Sequence, residues 1–122
     1  MGIIVGVGGS GTYTNASGGK VYGYTSIGTT PQVVALPNPS RQKITFHNPG
    51  GNDILVAPSV ASNYITGAQT PFVPTTTLYG GCFRVFGNGG TLVIEGECQI
   101  GWQAFALTGS ANQFTVMESN IG

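Results

Sequence analysis

His47 is the single histidine of a 122-residue chain, and Cys82 and Cys98 are its only cysteines. Any nucleophile and base working together near neutrality would have to combine His47 with one of the two thiols. Alternation places Ile44 and Phe46 on one side of a strand and Lys43, Thr45 and His47 on the other, so a surface histidine is expected. Two thiols without C-x-x-C spacing, beside one histidine, cannot supply the four ligands of a structural zinc site, and no metal is expected. Glu95 and Glu97 stand at i and i+2, on one side of a strand roughly 7 Å apart, within the range of a glycosidase carboxylate pair. Such pairs flank a substrate from opposing walls, whereas these two point the same way. A salt bridge from Glu95 to Arg84 across a hairpin is the expectation instead.

Gly6-Val7-Gly8-Gly9-Ser10-Gly11 satisfies G-x-G-x-x-G after an apolar run. A dinucleotide site needs a helix whose N-terminus holds the pyrophosphate, and Thr12-Tyr13-Thr14-Asn15-Ala16-Ser17-Gly18-Gly19 cannot start one. An Asp or Glu about 20 residues on is also missing, so no cofactor is expected. Trp102, with Tyr13, Tyr22, Tyr24, Tyr64 and Tyr79, offers the material of a sugar-stacking platform. Aromatic side chains on strands more commonly belong to a core.

The elements that position these residues follow from composition. Four basic and four acidic residues make 7% of the chain, against roughly a quarter in an ordinary soluble domain. Its surface must therefore be built from Gly, Ser, Thr, Asn and backbone, and it repels neighbouring protein weakly. With 40% hydrophobic residues a core is still available, which points to packing against other protein rather than to disorder. Zero net charge and the absence of a basic run argue against nucleic-acid and anionic-membrane partners. The start lacks a charged n-region, and no stretch approaches the roughly 20 apolar residues of a membrane span, so synthesis and folding in a cytoplasm are expected.

Short β-branched and aromatic runs occur at residues 2–7, 20–26, 32–36, 42–47, 54–57, 72–77, 82–86, 91–96, 100–107 and 113–118. Gly, Pro and Asn clusters separate them at intervals of about 8 to 12 residues, the pattern of an all-β antiparallel β-sandwich, jelly-roll or Ig-like. The expected core is Ile44, Phe46, Val56, Phe83, Val85, Leu92, Ile94, Trp102, Phe105 and Val116. Asn88-Gly89 predicts a two-residue hairpin pairing Val85 with Leu92 and Phe83 with Ile94. In that register Cys82 faces Glu95, and Cys98 lies roughly 10 Å further along, so two reduced thiols are expected. Residues 58–71 are compatible with a short helical turn or an irregular excursion.

Residues 1–30 hold nine of the 21 glycines and no acidic residue. They read as a Gly-rich arm or as edge strands of the domain formed by residues 31–122. As an arm, the segment would grip a neighbouring subunit by laying a strand on its exposed edge, with Ile3, Ile4, Val5, Lys20 and Tyr22 as assembly contacts.

The run Pro37-Asn38-Pro39-Ser40-Arg41-Gln42-Lys43-Ile44-Thr45-Phe46-His47-Asn48-Pro49 precedes the apolar strand 54–57. With the later Tyr79-Gly80-Gly81-Cys82-Phe83 and the closing Trp102-Gln103-Ala104-Phe105-Ala106, it resembles small β-sandwich virion proteins of tailed bacteriophages. The resemblance covers roughly residues 31–118. It implies that the Asn38-x-x-Arg41 stretch starts a core strand and that Gly80-Gly81 makes a tight turn. The implied role is structural and non-enzymatic: a capsid decoration (cement) protein on the virion, bound to the major capsid protein as a homo-oligomer, a trimer by the same resemblance. A tail or baseplate component, or a carbohydrate-binding adhesion module, is the alternative.

Overall fold

The structure is a computed structural model that describes residues 12–14, 20–62, 69–71, 81–96 and 98–120, and for 12–14, 60–62 and 69–71 the backbone course alone. The predicted strands at residues 2–7 and 72–77, and the contacts assigned to Ile3, Ile4 and Val5, lie outside the described residues. The strands in chain order are β1 (Thr12–Thr14), β2 (Lys20–Ile27), β3 (Gln32–Ala35), β4 (Arg41–Asn48), β5 (Ile54–Pro58) and β6 (Val60–Ser62). They continue with β7 (Gln69–Pro71), β8 (Phe83–Val85), β9 (Gly90–Glu95), β10 (Trp102–Ala106) and β11 (Asn112–Asn120). No helix occurs among the described residues.

Two antiparallel sheets form the sandwich, ordered β1-β2-β11-β4-β9 and β3-β10-β5-β8, with β6 and β7 as a separate ribbon. Leaving aside β1 and the ribbon, the orders 2-11-4-9 and 3-10-5-8 are those of a jelly roll, which decides between the two sandwich types. Almost every connection crosses from one sheet to the other. The stretch 58–71 is thus neither helical nor irregular at its ends: Val60 pairs with Pro71 and Ser62 with Gln69 in the ribbon.

β-branched and aromatic side chains fill the space between the sheets because strand geometry sends alternate residues to each face. Ile44, Phe46, Val56, Val85, Trp102 and Val116 are buried together, with Ile27, Val34, Ile54 and Phe114. Leu92 and Ile94 pack against this cluster from β9. Phe46 stacks on Phe114, centroids 5.9 Å apart, and meets Trp102 edge-on at 5.7 Å. Phe105 is buried too, but it alternates with Trp102, Ala104 and Ala106 and stands outside their cluster.

Three expectations are corrected. Phe83 is 48% exposed: it belongs to a three-residue edge strand and covers Trp102 from the open flank, centroids 6.3 Å apart. The Asn88-Gly89 turn forms, with φ of 63° and 99°, but its arms do not pair with one another. β8 pairs with β5 and β9 with β4, so the turn carries the chain between sheets. Its amides are taken by the neighbouring loop: Asn88 N–H donates to Gly50 O (2.6 Å) and Gly89 N–H to Asn48 O (2.8 Å). A Cβ on Gly87 would stand 2.7 Å from Gly51 O, so only glycine allows this approach. With the hairpin register gone, Arg84 does not meet Glu95. It binds Asp53, Nε to Oδ2 at 2.8 Å, while Glu95 stands opposite Lys43. Both thiols are free, Cys98 buried and Cys82 half-buried.

Candidate functional site

At the end of the sandwich where β4 begins, Arg41 is 1% exposed. Strict alternation would turn it outward with Lys43, Thr45 and His47. Opposite it, however, Ser119 pairs with Lys43 and Asn120 with Arg41, so Gln42 is an extra residue and the bulge swings Arg41 inward. There all five of its N–H groups find acceptors. Nε donates to Glu118 Oε1 (2.7 Å), Nη1 to Cys98 O (2.7 Å) and Ile100 O (2.9 Å), and Nη2 to Leu36 O (2.7 Å) and again to Glu118 Oε1. One side chain thereby joins the exit of β3, the β9–β10 connection and β11. The Arg41 carbonyl in turn accepts from Gln99 Nε2 (2.7 Å) and from Cys98 Sγ (3.5 Å).

A cleft of about 730 Å³ opens beside this ion pair, between β2 and β3. Lys20, Tyr22, Tyr24, Val33, Leu36 and Glu118 are among its walls. Tyr22 donates its hydroxyl to Glu118 Oε2 at 3.4 Å, and Tyr24 donates to Val34 O at 2.8 Å. Burial, followed by the Glu118 carboxylate nearby, holds both phenols above their ordinary range. Asn38 Nδ2 donates to Asn120 Oδ1 (3.1 Å) and Ser40 N–H to Asn38 Oδ1 (3.0 Å). The polar groups of the cleft are thus largely engaged with one another.

The opposite end is held by amides. Asn48, fully buried, donates through Nδ2 to Asn52 O (2.7 Å) and Val85 O (3.0 Å), and its Oδ1 accepts from Gly50 N–H (3.2 Å). Asn112 donates to Ile27 O (2.8 Å) and Thr108 O (3.0 Å) and accepts from Asn52 Nδ2 (2.9 Å). Asp53 accepts from Gly87 N–H (2.8 Å) and from Arg84. The Gly87 amide, then the Arg84 side chain, holds its carboxyl below the usual carboxylate range.

Among the described residues, those singled out for chemistry are not brought together. His47 sits on the outward face with Nδ1 3.1 Å from Thr91 Oγ1. Cys98 is enclosed beside Arg41, and burial pushes the Cys82 thiol up. No group of three or more His, Cys, Asp or Glu gathers among the described residues. Trp102 is 3% exposed, so it forms no sugar platform; Tyr22 and Tyr24 are the described aromatics facing the cleft. Lys20 and Tyr22 lie on β2, between β1 and β11 in the domain's own sheet. The bulge in β2 between its pairings with Asn112 and Phe114 turns Ile27 into the core, so the domain already includes residues 20–27. Arg41, Glu118, Asn48 and Asn112 were not anticipated as key positions. The inward row Asn112, Phe114, Val116, Glu118, apolar in the middle and polar at each tip, carries a signal for two of them.

Apolar side chains remain at the sheet edges: Val33 and Leu36 at β3, Phe83 and Phe86 at β8, Val93 on β9, and Ile100. Arg84 lies over the Phe86 ring, 5.4 Å from its centroid.

No family model and no curated protein matches this chain. Among solved structures, it is similar to a chain of the disulfide-linked pili that form Bacillus endospore appendages. That likeness has 10% identity and a TM-score of 0.45, over 97% of this chain and 98% of that one. It is also similar to a protein of Neisseria meningitidis, with 11% identity and a TM-score of 0.36 over 98% of this chain and 84% of that one.

Proposed function

We propose that this chain is a structural assembly subunit, a bacteriophage head-decoration protein that strengthens the shell by binding the major capsid protein on the outside of the virion. The observation that carries the reading is where the charge and the apolar surface lie. Arg41 and Glu118 are buried against one another and Arg84 is paired with Asp53. Half of the eight charged side chains are therefore committed within the domain, and Lys20, Lys43 and Glu95 are the others among the described residues. A jelly roll with so little surface charge and with Phe83, Phe86, Val93 and Leu36 exposed at its edges is suited to contact with other protein. A ring of three copies, each burying the same weakly charged patch, is the form we propose.

Cosedimentation of the purified chain with shells of the major capsid protein from the same source tests the reading. Binding, with a raised melting temperature of the shell, is expected, and light scattering of the released protein should give the mass of a trimer. A monomer that ignores the shells defeats the proposal.

The carbohydrate-binding alternative has one observation in its favour, the Tyr22 and Tyr24 walls of the 730 Å³ cleft. Substituting Tyr22 by Ala would abolish glycan binding on that reading and leave shell binding untouched on ours.

A further inference from the structure

We infer that the outer edge of β9 receives residues 2–7 of a second copy of this chain as an added strand, an inference that rests on the assembly reading above. Four edges are available for comparison. Among the described residues β1 and β8 are three residues long. β3 is blunted: Val34 O accepts from Tyr24 and Leu36 O from Arg41, so carbonyls that would template another chain are already used. β9 is six residues long, lies at the end of its sheet, and nothing pairs with its outer side among the described residues. It carries no blunting device of this kind. Val93 at its centre is 49% exposed, and its one charge, Glu95, already faces Lys43 across the ladder.

The occupant follows from the sequence ahead of β1. Eleven residues precede β1, and the β-branched run Ile3-Ile4-Val5 stands among them with no charged residue anywhere in 2–19. A strand drawn from this segment buries no unpaired charge against Val93. β1 lies at the opposite edge of the same sheet from β9, four strand spacings away, and a strand added outside β9 lies at a fifth, roughly 24 Å at about 4.8 Å each. With residues 2–7 laid along β9, the five steps from Val7 to Thr12 reach at most about 18 Å fully extended, before any bend around the sheet. The segment therefore falls short of its own β9 and meets that of another copy. Backbone pairing of this kind gives affinity without charge, as the composition requires.

Cysteine trapping in the full chain tests the edge. With Cys82→Ser as background, chains carrying Ile3→Cys, Ile4→Cys or Val5→Cys are mixed with chains carrying Val93→Cys and oxidised. A disulfide-linked heterodimer with Val93→Cys is expected for at least one of the three, and none with Val33→Cys on β3. Linkage to Val33→Cys instead, or to neither edge, overturns the inference. In parallel, Val93→Lys alters an outward side chain, so the melting transition should hold while self-association weakens roughly tenfold or more. Unchanged self-association also overturns it. A chain that remains monomeric at every concentration and ignores capsid shells defeats the assembly reading itself. A chain that associates without the link to Val93 defeats the edge assignment alone.

Discussion

At one end of the sandwich the carbonyls of Leu36, Cys98 and Ile100 converge on a single guanidinium; at the other, the amides of Asn48 and Asn112 meet carbonyls and an N–H together. Both ends face the same difficulty. Irregular connections bring backbone polar groups under cover, and each needs a partner. Where the groups presented are acceptors only, a residue with five donors and no acceptor fits, but it brings a charge that needs Glu118 beside it. Where donors and acceptors are mixed, a neutral amide serves both and no counter-charge is required. The difference teaches that in a chain with eight charged residues, one ion pair is placed inside because the backbone around it asks for donors, while the other, Arg84 with Asp53, stays at the surface.

The largest expected effect is at the charged end. Replacing Glu118 by Ala leaves Arg41 buried without its anion and should destabilise the fold by about 3 to 5 kcal/mol in urea unfolding. The double change Arg41→Met with Glu118→Leu should not restore stability, because the Leu36, Cys98 and Ile100 carbonyls lose their donors. Full recovery would show that the carbonyls do not matter and would erase the contrast between the ends.

Asn48→Ala should cost less, about 1 to 3 kcal/mol, since it strands the Val85 and Asn52 carbonyls and the Gly50 amide but leaves no charge exposed to the core. A loss as large as that of Glu118→Ala would make the two ends equivalent.

pH separates them by sign. The Asp53 carboxyl is held below its ordinary value, so its contribution is complete above about pH 4 and is lost as pH falls through the folded value. The Tyr22 phenol is held above its ordinary value, so its contribution is complete below about pH 10 and is lost as pH rises through the folded value. Acid should therefore shift the amide signals of Gly87 and Asn88 first, and alkali those of Leu36 and Ile100 first. The reverse order in NMR titrations would break the assignment of the acid-titrating carboxyl to one end and the alkali-titrating phenols to the other.

The smallest effect is expected on the outer face between the ends. His47→Gln should stay within about 0.5 kcal/mol of the parent and leave the proposed shell binding unchanged, because the ring lies on the outward face and its hydrogen bond goes to Thr91 at the surface. A marked loss of binding would give His47 a proton-dependent role.

The strands were legible because their signal is local. Ile44 and Phe46, or Phe114 and Val116, stand two residues apart with turn residues beyond, and a period of two needs no knowledge of the partner strand. The Asn88-Gly89 turn was legible for the same reason, since positive φ at both residues is a property of the dipeptide. Composition likewise set the sparse charge. Tertiary structure alone decided which sheet each strand joins, because that depends on pairings between residues far apart in the chain. The arms of the Asn88-Gly89 turn parted to opposite sheets, taking with them the pairing of Arg84 with Glu95. It also decided which way Arg41 points. One extra residue at Gln42 reverses the parity of everything before it, and a bulge is settled by the register with β11 rather than by the residues that form it.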